Sequence, residues 1–180
     1  MGLLTTVTRM WLVRSFRPFR FTHDFDSTLD YQKIESLGLY VHVPFCQRLC
    51  EFCPYCKQSY LREQAEAYVE SLLREIESVC TGREPKTVTS LYFGGGSPAL
   101  LVEDFDRIIS TLKKYFNVTD GIGVELHPDD VTVETLQKLK EAGVSRISVG
   151  IQSFDEMILQ KLGRNPLDVG RLFSALQEVS

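Results

Sequence analysis

The sequence predicts an α/β fold in which parallel strands alternate with helices, laid out as an incomplete (β/α) barrel of about four strand–helix units. Three observations predict it. Short runs rich in branched and aromatic residues, LYVHV (39–43), VTSLYF (88–93), GVEL (123–126) and RISVGIQ (146–152), are separated by stretches with apolar residues at helical spacing. The intervals are long enough for a crossover helix, so parallel strands with right-handed connections are expected. Chemically unusual residues stand at or just beyond the end of every run: cysteines, then GGGSP, then Glu125 and His127, then Gln152. Folds of this kind place their ligand site at the carboxyl ends of the strands.

The elements follow in order. Residues 1–37 read as an N-terminal extension, and 38–180 as the core. The first 21 residues, MGLLTTVTRMWLVRSFRPFRF, are basic and aromatic, with no acidic residue before Asp24. A membrane-surface helix or an organellar presequence is one reading. The favoured one is an extension that packs Trp11, Phe16, Phe19 and Phe21 on the domain. The strand at 39–43 opens the core and runs into the cysteine loop. A helix over 62–80 carries Tyr68, Leu72, Leu73, Ile76 and Val79 at helical spacing. After the strand at 88–93, a second helix from Val102 to Phe116 buries Phe105, Ile108, Ile109, Leu112 and Phe116. The third helix, 132–142, is stopped by Gly143. After the fourth strand, DEMILQKLG and PLDVGRLFSALQEV form two last helices, split by Gly163 and Pro166. Four units do not close a barrel and leave an edge strand unpaired. The expectation is the N-terminal part of a longer protein.

Composition narrows the class. The 180 residues are 43% hydrophobic and 24% charged, as in ordinary globular domains. A net charge of -4 argues against a dedicated nucleic-acid binder. No apolar run approaches the roughly 20 residues of a membrane span. Arg9 and Arg14 interrupt the N-terminal apolar pieces, unlike a secretory signal. The cysteines are odd in number and clustered, which fits a reduced, cytoplasmic setting better than a disulfide framework.

Four of the five cysteines fall within residues 46–56. Cys46, Cys50 and Cys53 form C-x3-C-x2-C, and Cys56 adds a further C-x2-C step. Three thiolates on a four-iron cluster leave one iron open to a substrate or cofactor. Other readings stay open at this point. Cys50, Cys53 and Cys56 alone start a ferredoxin-like pattern, with Cys80 as a fourth ligand. Zinc can take four thiols, or His42 with three of them. Unligated buried thiols are a poor fit for a loop that also holds Arg48, Glu51 and Lys57. Cys80 sits at core spacing on a helix and reads as a small buried hydrophobe.

The segment Tyr40 to Cys53, Y-x-H-x-P-F-C-x3-C-x2-C, resembles the signature of radical S-adenosylmethionine (SAM) enzymes of the oxygen-independent coproporphyrinogen III oxidase family. Further segments resemble that family in the same order: LYFGGGSPAL (91–100), VELHP (124–128) and LKEAGVSRISVGIQSFDEMILQKLG (139–163). The resemblance covers about residues 38 to 164 and implies a partial radical SAM (β/α) barrel. It implies a [4Fe–4S] cluster on Cys46, Cys50 and Cys53, with SAM on the open iron. Reductive cleavage of SAM would then give a 5'-deoxyadenosyl radical that abstracts hydrogen from an unactivated carbon.

By the same resemblance Gly95, Gly96, Ser97, Glu125, Gln152 and Arg164 would hold the cofactor, while Tyr40 and Phe52 would touch it. Bare glycine backbone lets a bulky ligand approach, and the N–H groups of Gly94, Gly95 and Gly96 can meet a carboxylate. Ser97 keeps the hydroxyl of the family's usual Thr. Arg164 could pair with the cofactor's carboxylate. His42 is expected to hydrogen-bond within the barrel, and no role follows for His127. The implied partners are a small-molecule substrate, a porphyrinogen or haem, and a low-potential electron donor. Cys56 stands three residues after the third ligand, where the decarboxylases have a cysteine two after, and Pro166 replaces the His of G-R-x-H. These departures leave three alternatives beside porphyrinogen decarboxylation: a haem-binding chaperone, a radical methyltransferase or anaerobic haem-degrading enzyme, and an inactive fragment.

Overall fold

A computed structural model describes residues 31–179. The N-terminal aromatic residues Trp11, Phe16, Phe19 and Phe21 lie outside the described residues. Four strands form one parallel sheet in the order β1 (Gly38–Val43), β5 (Ser90–Gly95), β7 (Ile122–Leu126) and β8 (Arg146–Val149). Register runs from Tyr40 opposite Tyr92, through Tyr92 opposite Gly123, to Glu125 opposite Ser148. The predicted α/β architecture with parallel strands is therefore present, as a four-stranded portion of a barrel.

Alternation along these strands divides the sheet into two unlike faces. Val41, Val43, Leu91, Phe93, Ile122, Val124 and Leu126 are buried and share a core with the helices. Helix α1 (Arg62–Cys80) contributes Ala65, Val69, Leu73, Ile76 and Cys80 to that core, a three-to-four-residue spacing along one stripe. It ends before Gly82, whose φ of 78° few other residues adopt. Helix α2 (Phe105–Lys113) packs on α1, and α3 (Val133–Glu141) packs on α5 (Val169–Val179). The Thr132 side chain caps α3 by accepting from Thr135 N at 3.1 Å, and the helix stops just before Gly143, as its sequence predicts. Asp155 caps the short α4 (Glu156–Lys161) in the same way. Cys80 is buried, as expected of a core residue.

Three boundaries differ from expectation. The helix expected over 102–116 is a 3-10 segment at Pro98–Asp104, kinked at Leu101, followed by α2. Phe116 belongs instead to β6 (Phe116–Val118), which pairs with β4 (Lys86–Val88), and its ring lies 5.6 Å from that of Tyr31. Main-chain pairing of residues 116–118 outweighs their helical periodicity. The second predicted strand is likewise two strands: β4, and β5 running on into the glycines to Gly95. The fourth strand ends at Val149. Beyond it Gly150 N–H turns back to Leu126 O at 3.0 Å and Gln152 takes a φ of 69°, so Gln152 is a loop residue.

Candidate functional site

The cysteine loop is closed by a short parallel pair, β2 (Phe45–Cys46) with β3 (Gln58–Ser59). Gln58 N–H donates to Pro44 O at 2.7 Å and Tyr60 N–H to Cys46 O at 3.0 Å. Cys46 thus stands on a strand while Cys50 and Cys53 stand on the irregular loop it starts. Phe45, fully buried, anchors the base through edge-on contacts with Tyr60 and Tyr68. His42 holds the far end: its Nε2 is 2.8 Å from Cys56 O, and its Nδ1 is 3.4 Å from the Tyr40 hydroxyl. The Tyr68 hydroxyl donates to His42 O, and burial pushes its pKa up to about 12, so it remains a donor. The expectation that His42 hydrogen-bonds within the fold is met.

Gly95 and Gly96 meet the loop from β5. Gly95 has a φ of 115°, and a Cβ there would lie 2.6 Å from the His42 ring. A Cβ on Gly96 would overlap Phe45 O and come within 2.9 Å of Cys46 Sγ. The Gly96 N–H donates to Val43 O and the Ser97 N–H to Phe45 O, each at 2.6 Å. The expectation that a carboxylate is met by the Gly96 N–H is therefore corrected: that donor ties β5 to the strand before the cysteines. The missing side chain of Gly96 makes room for Phe45 O and Cys46 Sγ, so this glycine seats the cysteine-bearing strand.

These elements enclose a cleft of about 370 Å³ lined by Cys46, Cys50, Phe52, Cys53, Gly95, Gly96, Ser97, Glu125, Gln152 and Arg164, together with Lys57. Every sequence-predicted site residue except Tyr40 is in this wall. Tyr40 lies on the open face of the sheet, 58% exposed, its ring stacked 6.3 Å from that of Tyr92. All the cysteines are free thiols. Among the described residues no three Cys, His, Asp or Glu side chains close around a single-ion point; Cys46, Cys50 and Cys53 line the same cleft.

The polar groups of the cleft are incompletely satisfied. Arg164 donates from Nη1 to Gly150 O at 2.8 Å and lies 5.7 Å from the Phe52 ring centre, but its buried Nε has no partner. The Glu125 side chain has no hydrogen-bond or ion-pair partner among the described residues. Burial pushes the Cys46 thiol up, Cys53 and Cys50 add to this, and Lys57 opposes it. Burial and Asp129 push the Asp130 carboxyl up, with Ser97 and the His127 backbone pulling it back. Sequence reading missed Asp130 and the roles of Lys57 and His127. His127 Nδ1 accepts from Asp129 N at 3.1 Å and so starts the turn Pro128–Asp130. No sequence signal separates such a cap from a ligand; Lys57, directly after the last clustered cysteine, was within reach.

An unpartnered guanidinium nitrogen, an unpartnered carboxylate and a thiol-lined wall beside bare glycine backbone fit an amino-acid-bearing cofactor on an iron–sulfur cluster. Residues 40–178 match the Radical SAM superfamily, and the chain belongs to it. The cofactors of that family are a [4Fe–4S] cluster and SAM. The chain is 32% identical over 147 residues to the haem chaperone HemW of Bacillus subtilis, covering 78% of this chain and 38% of that protein. It is 31% identical over 166 residues to the oxygen-independent coproporphyrinogen III oxidase of Salmonella typhimurium, covering 87% and 36% respectively. The structure is similar to that of the coproporphyrinogen III oxidase HemN from Escherichia coli, a radical SAM enzyme, with a TM-score of 0.67 and 30% identity over 79% of this chain and 33% of that one. The chain spans a little over a third of the length of these curated relatives. No helix among the described residues is long and apolar enough to cross a membrane.

Proposed function

We propose that Cys46, Cys50 and Cys53 ligate a [4Fe–4S] cluster, that SAM binds in the adjoining cleft, and that the protein performs oxidative decarboxylation of a porphyrinogen propionate. The observation that carries the reading is the single cleft shared by the three thiols, the glycine backbone, Glu125 and Arg164. When bound, the cluster and SAM supply reductive carbon–sulfur cleavage and a 5'-deoxyadenosyl radical. The residues have separate tasks. Arg164, whose Nε–H is unpartnered, would pair with a carboxylate, and Phe52 backs its guanidinium. Glu125 and the Gly96 carbonyl accept from an ammonium or ribose hydroxyl; Gln152, exposed on its loop, reaches the same space. Ser97, 8% exposed, lines the same cleft. Tyr40 stands outside the cleft wall, exposed on the open face of the sheet. A low-potential donor provides the electron.

A second reading, haem binding without decarboxylation, is favoured by the comparable identity to HemW and by the displaced Cys56.

Electron paramagnetic resonance on anaerobically reconstituted, dithionite-reduced protein, with and without SAM, tests the common part. A four-iron signal that changes on adding SAM is expected, as is its loss in Cys46→Ala, Cys50→Ala and Cys53→Ala but not Cys56→Ala. A signal that survives any of the first three, or ignores SAM, overturns the ligand assignment. Vinyl product from coproporphyrinogen III then supports the decarboxylase, and stoichiometric haem binding without product supports the chaperone.

A further inference from the structure

Lys57 directs its ammonium into the cysteine loop. Its Nζ donates to Cys50 O and, at 2.7 Å, to Cys53 O. It is half-buried, lines the cleft with the three thiols, and has no carboxylate within ion-pair distance among the described residues. A partly buried ammonium satisfied only by carbonyls keeps an uncompensated charge. The other cations of the cleft are used differently: Arg48 reaches Gly163 O at 3.4 Å, and Arg164 reaches Gly150 O. Lys57 alone among them bonds the main chain of the thiol-bearing residues.

We infer that Lys57 is a positioning residue for the cluster, holding two ligand residues in place and supplying the counter-charge of an anionic site. The inference rests on the reading that Cys46, Cys50 and Cys53 are the ligands. Two physical effects follow. First, two charge-assisted bonds fix the carbonyls of Cys50 and Cys53, so the loop is shaped before iron arrives. Second, a four-iron cluster with three thiolates is a net anion, more so after reduction. A nearby positive charge favours the reduced state and raises the reduction potential.

The test compares wild type, Lys57→Met and Lys57→Arg as full chains reconstituted anaerobically. Iron content, the rate of iron loss to a chelator, and the midpoint potential are measured, with melting of the apo proteins to report folding. Lys57→Met is expected to lose iron at least about tenfold faster, the equivalent of one of its two charge-assisted hydrogen bonds, and to show a more negative potential. Lys57→Arg should stay near the wild-type potential. Loss of packing alone would not move the potential with charge in this way. Wild-type iron loss and potential in Lys57→Met overturn the inference while leaving the cluster reading intact. Equal shifts in both variants overturn the charge role. Should Lys57→Met fail to fold, Lys57→Arg decides: a folded variant with a clearly shifted potential overturns it. A wild-type chain that takes up no iron overturns this inference and the cluster reading together.

Discussion

Tyr92 and Phe93 are neighbours on β5 and serve opposite faces of one sheet. Phe93 is 0% exposed and sits 4.5 Å, centre to centre, from Phe105 of α2. Tyr92 lies on the other face, crosses β7 where Gly123 leaves room for its ring, and meets the Ser148 hydroxyl of β8 at 2.6 Å. The helix-covered face is apolar throughout, whereas the open face carries Tyr40, His42, Tyr92, Glu125 and Ser148. One face maintains the sheet, and the other keeps polar groups in position around space. Stability and function should therefore separate by strand parity.

The largest expected effect tests that separation directly. Phe93→Ala should cost about 3–5 kcal/mol, the loss of a buried aromatic side chain plus the cavity it leaves. Tyr92→Phe, one residue away, should cost only about 0.5–1.5 kcal/mol through its hydrogen bond. Guanidinium unfolding of the cluster-free proteins measures both. If Tyr92→Phe destabilises as much as Phe93→Ala, the open face is structural and the division fails.

Gly96 sits where the two roles meet, and its expected effect is intermediate. A methyl group there overlaps the main-chain oxygen of Phe45, which cannot swing aside as a side-chain tip could. Gly96→Ala should therefore destabilise the fold by about 1–3 kcal/mol, as overpacking does. It should also lower iron uptake on reconstitution, because Phe45 must shift and Cys46 moves with it. Normal iron content in a destabilised Gly96→Ala would show that the cysteine loop adjusts independently of β5.

Much of this was legible in the sequence, and the reason is local. Alternation of Val41, Val43 and of Leu91, Phe93 marks strand faces, and strand-end placement brought the cysteines, GGGSP, Glu125 and Gln152 to one rim. Some of the misses arise where long-range pairing decides. Phe116 has helical spacing from Phe105 and Leu112 but joins β4, 30 residues back in register with Lys86. The N–H of Gly96 is spent on Val43 O across the fold, which no spacing rule encodes, whereas Lys57 and His127 make local bonds whose partners are set by loop geometry. Tyr40 shares the open face with Glu125 but lies outside the cleft wall.

The smallest expected effect concerns pH and the far wall of the site. Burial lowers the His127 pKa, Arg164 and then Arg48 push it the same way, and Asp129 opposes them. The neutral ring also supplies the acceptor for Asp129 N–H. The folded state thus holds its proton less tightly than the unfolded chain, whose histidine titrates near 6.5. Between the two values the unfolded chain binds more protons, so stability rises with pH there. The contribution of neutral His127 is complete above about pH 6.5 and is lost as pH falls through the folded value. Melting of the cluster-free protein should fall between about pH 7.5 and pH 5.5, with part of the slope removed in His127→Asn, which keeps a capping acceptor. An unchanged slope in that variant would place the acid sensitivity elsewhere and make His127 a cap whose charge state the fold does not select.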